Sequence, residues 1–143
     1  MAIMELRDAT FSDLEALLPI ARHAILNSTL GGLEFNEAII QRNFVVAMQF
    51  NDGFAKVVVH KEKVVGGLVG LVMENHFGIR CAVDLFTYSS NNTDKLINSF
   101  TQWSKSKGAQ FVQVTDFSKK SRYQKLITLL GFEPGGTNFI KVI

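Results

Sequence analysis

Two parts of the sequence hold groups able to do chemistry. The first is FTYSSNNTDKLINSF, residues 86–100, which reads as a strand end, a polar turn and the start of a helix. The unpaired N–H groups and dipole of a helix start favour an anion, phosphate above all. Ser, Asn, Thr and Asp are also the residues that cap a helix with no ligand at all, so a phosphate site and a plain cap both stand. Asp94 already places a carboxylate in that field, while Lys95 beside it argues the other way. The second part is a set of acidic side chains on apolar strands. Asp84, in the middle of CAVDLF, is costly there unless paired or functional, and burial would raise its pKa into the range of a proton acceptor. A strand position facing solvent is the alternative. Glu74, at the end of KVVGGLVGLVME, and Asp116, at the end of AQFVQVTD, are the other acid–base candidates. His76 falls in the turn MENHFG, and His23 and His60 have no metal partner at useful spacing.

The elements that must position these groups follow from periodicity and punctuation. IMELRDAT is a short strand. Ser12 with Glu15 predicts a capping box, and Leu14, Leu17, Leu18, Ala21 and Ile25 then repeat on one helical face, with Pro19 expected to kink the axis. NSTLGGLEF, residues 27–35, is a flexible connection of the kind that holds substrates, after which Asn36 caps a second helix bearing Ile40, Phe44, Ala47 and Met48. GFAKVVVH and KVVGGLVGLVME form a hairpin. The second arm is apolar nearly throughout and so central in a sheet, and its Gly66, Gly67 and Gly70 imply a bulge or a close approach to the backbone. IRCAVDLFTY is a strand, residues 93–107 a helix ended by Gly108, AQFVQVTD a strand, KKSRYQKLITLLGF a helix closed by Gly131, and NFIKVI a last strand.

Bulk composition narrows the rest. A chain of 143 residues, 47% hydrophobic, supports one domain spanning 1–143. With 15 Lys and Arg against 13 Asp and Glu, scattered along the chain, neither a nucleic-acid groove nor a basic membrane face is expected. Cys81, the single cysteine, excludes an internal disulfide and reads as a core thiol. MAIMELRDAT lacks the pattern of a signal peptide and no apolar run approaches the roughly 20 residues of a membrane span, so the expected location is cytoplasmic. The last strand offers an edge through which a homodimer or larger assembly could form.

The order β-α-α-β-β-β-α-β-α-β, with KVVGGLVGLV, LINSFTQWSKSKGAQFVQV and YQKLITLLGFEPGGTNFIKVI at their places in it, resembles the GNAT family of acyl-CoA-dependent N-acetyltransferases over essentially the whole chain. The look of the chain is also similar to small, divergent GNAT-like proteins encoded by bacteriophages. The resemblance implies an α/β (α+β) fold, a mixed, mostly antiparallel sheet with four helices, and transfer of an acetyl group from acetyl-CoA to a small-molecule or peptide amine. It also implies that the fourth and fifth strands splay and that the pantetheine arm lies between them, along Leu85, Phe86 and Thr87. The pyrophosphate would rest on Ser89, Ser90, Asn91, Asn92 and Thr93, with Lys95 nearby. The family writes this turn (Gln/Arg)-x-x-Gly-x-(Gly/Ala). Counted without gaps, Tyr88 to Thr93 occupy those six places and supply neither the Arg or Gln nor a small residue; registered on DLFTY, the turn is shorter and still has no Gly. A weakened CoA site follows. The family's proton donor, a Tyr five residues before the Phe of GF, falls on Ile127, whereas Tyr123 lies one turn earlier on the same face and is either the displaced donor or a packing residue. The family's Asn near the start of this helix falls at about Lys120, with Ser118 and Ser121 nearby. Tyr123 as acid and Asp84 or Glu74 as base form the expected catalytic set. The alternative is a catalytically degenerate GNAT fold with a binding or structural role, for example in a phage assembly.

Overall fold

The computed structural model describes residues 4–120 and 122–143, so the start of the expected first strand and Ser121 lie outside the described residues. A five-stranded sheet runs in sequence order: β1 (Glu5–Asp8), β2 (Gly53–His60), β3 (Lys63–Glu74), β4 (Arg80–Ser89) and β5 (Phe111–Gln113). The first four strands are antiparallel, and β5 joins β4 in parallel. Helices α1 (Leu14–Leu26) and α2 (Glu37–Gln49) cover one face, while α3 (Thr93–Ser106) and α4 (Arg122–Leu129) cover the other. β3 is central and covered on both faces, as its unbroken apolar run requires.

Local chemistry explains most element boundaries. α1 buries Leu14, Leu17 and Ala21 and runs through Pro19. Its entry is not the Ser12–Glu15 box. Asp13 accepts from the Thr10 N–H at 2.7 Å and pairs with both terminal nitrogens of Arg7 on β1 at 2.7 and 2.9 Å. The Arg7 hydrogen bonds hold the Asp13 carboxyl below the usual range. The entry is thus a Thr10–Asp13 capping box braced by a cation of the preceding strand. Asn36 caps α2 as expected, accepting from the amides of Ala38 and Ile39. α3 buries Leu96, Ile97, Phe100 and Ser104, and Gly108, at φ 81°, closes the turn after it.

The expected last strand is absent: residues 132–143 carry neither helix nor strand, and β5 spans only Phe111–Gln113 of the predicted AQFVQVTD. β5 is short because β4, its neighbour among the described residues, moves away beyond Val83.

The glycines of β3 serve both purposes the sequence suggested. Register shifts occur between Val58 and Val59 and between Val69 and Gly70, and a Cβ on Gly70 would stand 2.6 Å from the Phe100 ring. Phe100 is fully buried and packs against Phe54 with ring centroids 5.1 Å apart, so it has nowhere to retreat. Gly70→Ala is expected to lower the unfolding free energy by about 1–3 kcal/mol through overpacking. In chemical denaturation, Gly32→Ala, whose added Cβ meets nothing within 4 Å, should stay close to wild type; equal effects at both positions would contradict the packing argument.

Candidate functional site

The site begins where the sheet stops being regular. β4 and β5 share three residue pairs, Cys81 with Phe111, Ala82 with Val112 and Val83 with Gln113, and then separate. At the same point β4 carries one extra residue against β3: Gly70 faces Asp84 and Val69 faces Phe86, leaving Leu85 as a bulge. Residues two apart on a strand normally share a face; the bulge puts Asp84 and Phe86 on opposite faces. Phe86 packs with the α1/α2 core, and Asp84 lies on the side of α4.

Asp84 bridges the gap that opens. One carboxylate oxygen accepts the Thr115 N–H at 3.0 Å and the other accepts the Thr87 hydroxyl at 2.8 Å. A side-chain acceptor thus stands where the ladder would next use a backbone carbonyl, so β5 stays tethered while held a side chain's length away. Burial pushes the Asp84 carboxyl above the ordinary range, against the pull of those hydrogen bonds. Tyr123, on α4, packs on the same face. Its hydroxyl is buried near that of Thr87 but meets hydrogen-bond geometry with none of the described residues, and burial, followed by the charge of Asp84, pushes its pKa well up against the pull of Thr87. Asp116 accepts the Ser118 N–H at 2.8 Å through one oxygen and leaves the other buried without a partner among the described residues. Its charge also reaches Tyr123. Such unpaired buried groups are rare enough to call for a use.

The turn at residues 89–92 is braced internally. The Ser89 hydroxyl donates to the Asn91 carbonyl and accepts the Asn91 N–H at 3.3 Å, and the Thr93 hydroxyl donates to the Ser89 carbonyl at 3.4 Å. Asn92 is the N-cap residue, at φ 59° and ψ 26°, and its side chain makes no capping hydrogen bond. An asparagine here takes the left-handed conformation that a glycine would otherwise supply. The polar side chains therefore shape the turn without closing the helix start, and no side chain among the described residues accepts from the amides of Thr93, Asp94 or Lys95. Ser90 and Asn91 are exposed, as are Asp94 and Lys95 in the first turn.

On the opposite face, Leu85 and Phe86 line a cavity of about 110 Å³ with Ile25, Ile40, Asn43 and Phe44. The loop after α1 is fastened beside the wedge, since the Thr29 N–H donates to the Phe117 carbonyl at 2.9 Å and Ser28 bridges Ser118. A larger hollow of about 420 Å³, reaching Asp8, Lys56 and Trp103, lies towards the β1 edge and shares no residue with this site.

The fold therefore gathers Asp84, Thr87, Tyr123 and the turn Ser89–Thr93 at one end of β4. Glu74 is not brought there: it is exposed and faces Arg80 at the opposite end of β4. Thr115 and the left-handed Asn92 escape a reading of the sequence alone. Thr115 has an ordinary side chain and acts through its N–H, and a single Asn signals a left-handed residue only weakly.

No family model matches the sequence, and no curated protein does. Solved structures do match, over nearly the whole of both chains. A predicted acetyltransferase from Clostridium acetobutylicum, solved with acetyl-CoA, has a TM-score of 0.75 at 13% identity, covering 99% of this chain and 96% of that one. An aminoglycoside N-acetyltransferase, AAC(6′)-Iy, in complex with CoA gives 0.72 at 12% identity, covering 100% and 96%. The fold is that of the GNAT acetyltransferases. A transcriptional regulator from Bacillus halodurans C-125 superposes as well, with a TM-score of 0.74 at 17% identity and coverage of 99% and 100%, so the likeness speaks for the GNAT fold and not for a shared activity. Among the described residues no helix is long and apolar enough to cross a membrane, and no group of three or more His, Cys, Asp or Glu could hold a metal ion.

Asp84 generates a prediction with a definite sign. Its folded-state pKa is raised, so the folded protein binds this proton more tightly than the unfolded chain, and stability falls as pH rises from the ordinary carboxylate range through the raised value. Asp84→Asn keeps an acceptor for Thr115 and has no charge to bury. It should match or exceed wild-type stability at neutral pH and lose that part of the pH slope. Asp84→Ala strands the Thr115 N–H and should cost about 1–3 kcal/mol. Denaturant titrations between the ordinary carboxylate range and neutrality check both, and equal destabilisation by Asn and Ala would contradict the hydrogen-bonding role.

Proposed function

We propose that the chain is an acyl-CoA-dependent N-acetyltransferase that acetylates a small-molecule or peptide amine. The observation that carries this reading is the opening between β4 and β5, with an uncapped helix start at its mouth and an unpartnered tyrosine hydroxyl within it. The donor supplies a thioester whose carbonyl carbon accepts an amine and whose sulfur then leaves. The residues present fit such a donor. The bulged stretch Leu85, Phe86 and Thr87 offers backbone groups to a pantetheine arm once β5 has moved away. A pyrophosphate would rest at the turn Ser89–Thr93, on the open amides where α3 starts, with the helix dipole behind them and Lys95 adding positive charge. The Asp94 carboxylate opposes it, which makes the site weaker than a glycine-rich one.

Proton movements divide among the acidic groups by what each has free. Asp84 has both oxygens engaged and acts as a positioning residue. Asp116, with one unpaired buried oxygen, takes the proton that the amine loses as the C–N bond forms. Tyr123 remains protonated at neutral pH and gives its proton to the departing sulfur as the C–S bond breaks; a proton passed on from Asp116 restores it. The acceptor enters from the α1/α2 face, where the cavity at Leu85 and Asn43 has room for an aliphatic amine arm beside the loop 27–35. The absence of any glycine from residues 86–100 favours a second reading, a GNAT fold kept for binding or assembly without turnover.

Titration with acetyl-CoA separates the two readings. The first expects thermal stabilisation that grows with ligand, equivalent to about 2.7 kcal/mol at a hundredfold excess over Kd, together with thiol release in the presence of amines. Tyr123→Phe should then lower kcat by about 10²-fold or more with little change in KM. Stabilisation without thiol release supports the second reading, and no stabilisation at millimolar acetyl-CoA overturns the CoA site itself.

A further inference from the structure

We infer that the hollow at the β1 edge binds a free α-amino acid with an apolar side chain, its ammonium on Asp8, its carboxylate on Lys56 and its side chain against Trp103. The hollow exists because β1 is shorter than β2. After Asp8 the Ala9 N–H still reaches β2, donating to the Ala55 carbonyl at 3.0 Å, and the chain then turns into the Thr10–Asp13 box. Among the described residues, the first residues of β2 are left with no strand outside them. α2 and α3 close the gap from opposite faces and leave about 420 Å³, a volume within the range of small-molecule sites. The α2 wall is fixed, since a Cβ on Gly53 would collide with the Ala47 carbonyl.

Three observations select the ligand. First, Asp8 and Lys56 stand directly opposite each other across the β1/β2 ladder, on the α3 face that Phe54 and Val58 also share. Opposite charges so placed attract and ordinarily close on each other. Here both line the hollow, and neither makes an ion pair or a side-chain hydrogen bond with a described residue. A ligand of one charge would satisfy one of them and be repelled by the other, whereas an ammonium and a carboxylate on the same carbon satisfy both. Second, Ser99 is the one α3 hydroxyl left free among the described residues. Thr93, Thr101, Ser104 and Ser106 all donate to backbone carbonyls, while Ser99, which lines the hollow, donates to none and is available to the ligand carboxylate. Third, the remaining walls are apolar: Met48 from α2, and Phe54 with Trp103, whose rings pack with centroids 5.3 Å apart. Asp8 is exposed and Phe54 buried, so the charges stand at the mouth with the apolar surface within. That order sets the head group outward and an apolar side chain inward. The hollow shares no residue with the wedge, so its ligand is read without CoA and independently of acetyl transfer.

Trp103 is the only tryptophan in the chain, so its fluorescence reports on the hollow directly. Titration of the full chain with L-leucine is expected to give a saturable change in that signal. Two analogues divide the head group: 4-methylpentanoate lacks the ammonium and 3-methylbutylamine lacks the carboxylate. Each should bind about tenfold more weakly than leucine or worse, as the loss of one charge-assisted contact implies. Asp8→Asn should weaken leucine by about the same factor and leave 4-methylpentanoate no weaker, and Lys56→Gln should do the same for leucine and 3-methylbutylamine. Both side chains reach solvent, so both variants should keep the wild-type circular dichroism spectrum. No saturable change up to the solubility of leucine overturns the inference, as does a wild type that binds the three ligands alike. So does an undiminished preference for leucine in both variants, which would place the ligand elsewhere.

Discussion

The hydrogen bond from the Thr115 N–H to Asp84 governs the shape of this protein more than any other contact. Below it, β4 and β5 are an ordinary parallel pair, fixed at the closed end by Arg80, whose guanidinium donates to the Lys107 carbonyl at 2.8 Å and whose own carbonyl accepts from Gln110 at 2.8 Å. Above it, the strands diverge. A backbone ladder has one spacing, and only a side-chain acceptor can keep two strands tied at a greater distance. Asp84 is that acceptor, aimed to the side of α4 by regular alternation with Ala82, and the Leu85 bulge that follows turns Phe86 to the other face.

The two helical layers divide the remaining work. α1 and α2 pack on Val57, Val69 and Phe86 and frame the small cavity at Leu85, while α3 and α4 pack on Phe54, Leu68 and Ala82 and bring Tyr123 to the wedge. Their common support is β3, whose close fit to Phe100 depends on Gly70 having no side chain. The bulge at Leu85 stands opposite that same stretch of β3, so the tightest packing in the core adjoins the place where the sheet opens. A site placed there is held by the core, with loops closing only its rim.

Much of this was legible in the sequence. Helical periodicity and the Asn36 cap marked the helices, and the apolar run 64–72 marked the central strand. The order of elements together with three stretches of resemblance indicated the GNAT fold. Asp84 was visible as a charge in an apolar strand. Its role was not, because the Thr115 amide that explains it lies 31 positions away and a backbone donor leaves no trace in residue type. The α1 entry differs from the Ser12–Glu15 box because a box two residues earlier, Thr10 with Asp13, is reinforced by Arg7 on another element. NFIKVI has the composition of a strand, and composition shows which segments can pair without showing that they do. The polar turn has no glycine, yet Asn92 adopts the left-handed conformation a glycine would, and its side chain makes no capping hydrogen bond, which residue type alone does not reveal.

One carboxylate thus holds two strands apart while keeping them tied. The most direct measurement is the NMR signal of the Thr115 amide proton followed across pH in the ligand-free protein. A charge-assisted bond to an enclosed carboxylate predicts a strongly downfield proton that shifts as Asp84 titrates, with a midpoint above the ordinary aspartate range. An amide at an ordinary shift, or one indifferent to pH, would contradict the role assigned to Asp84 and with it the origin of the wedge.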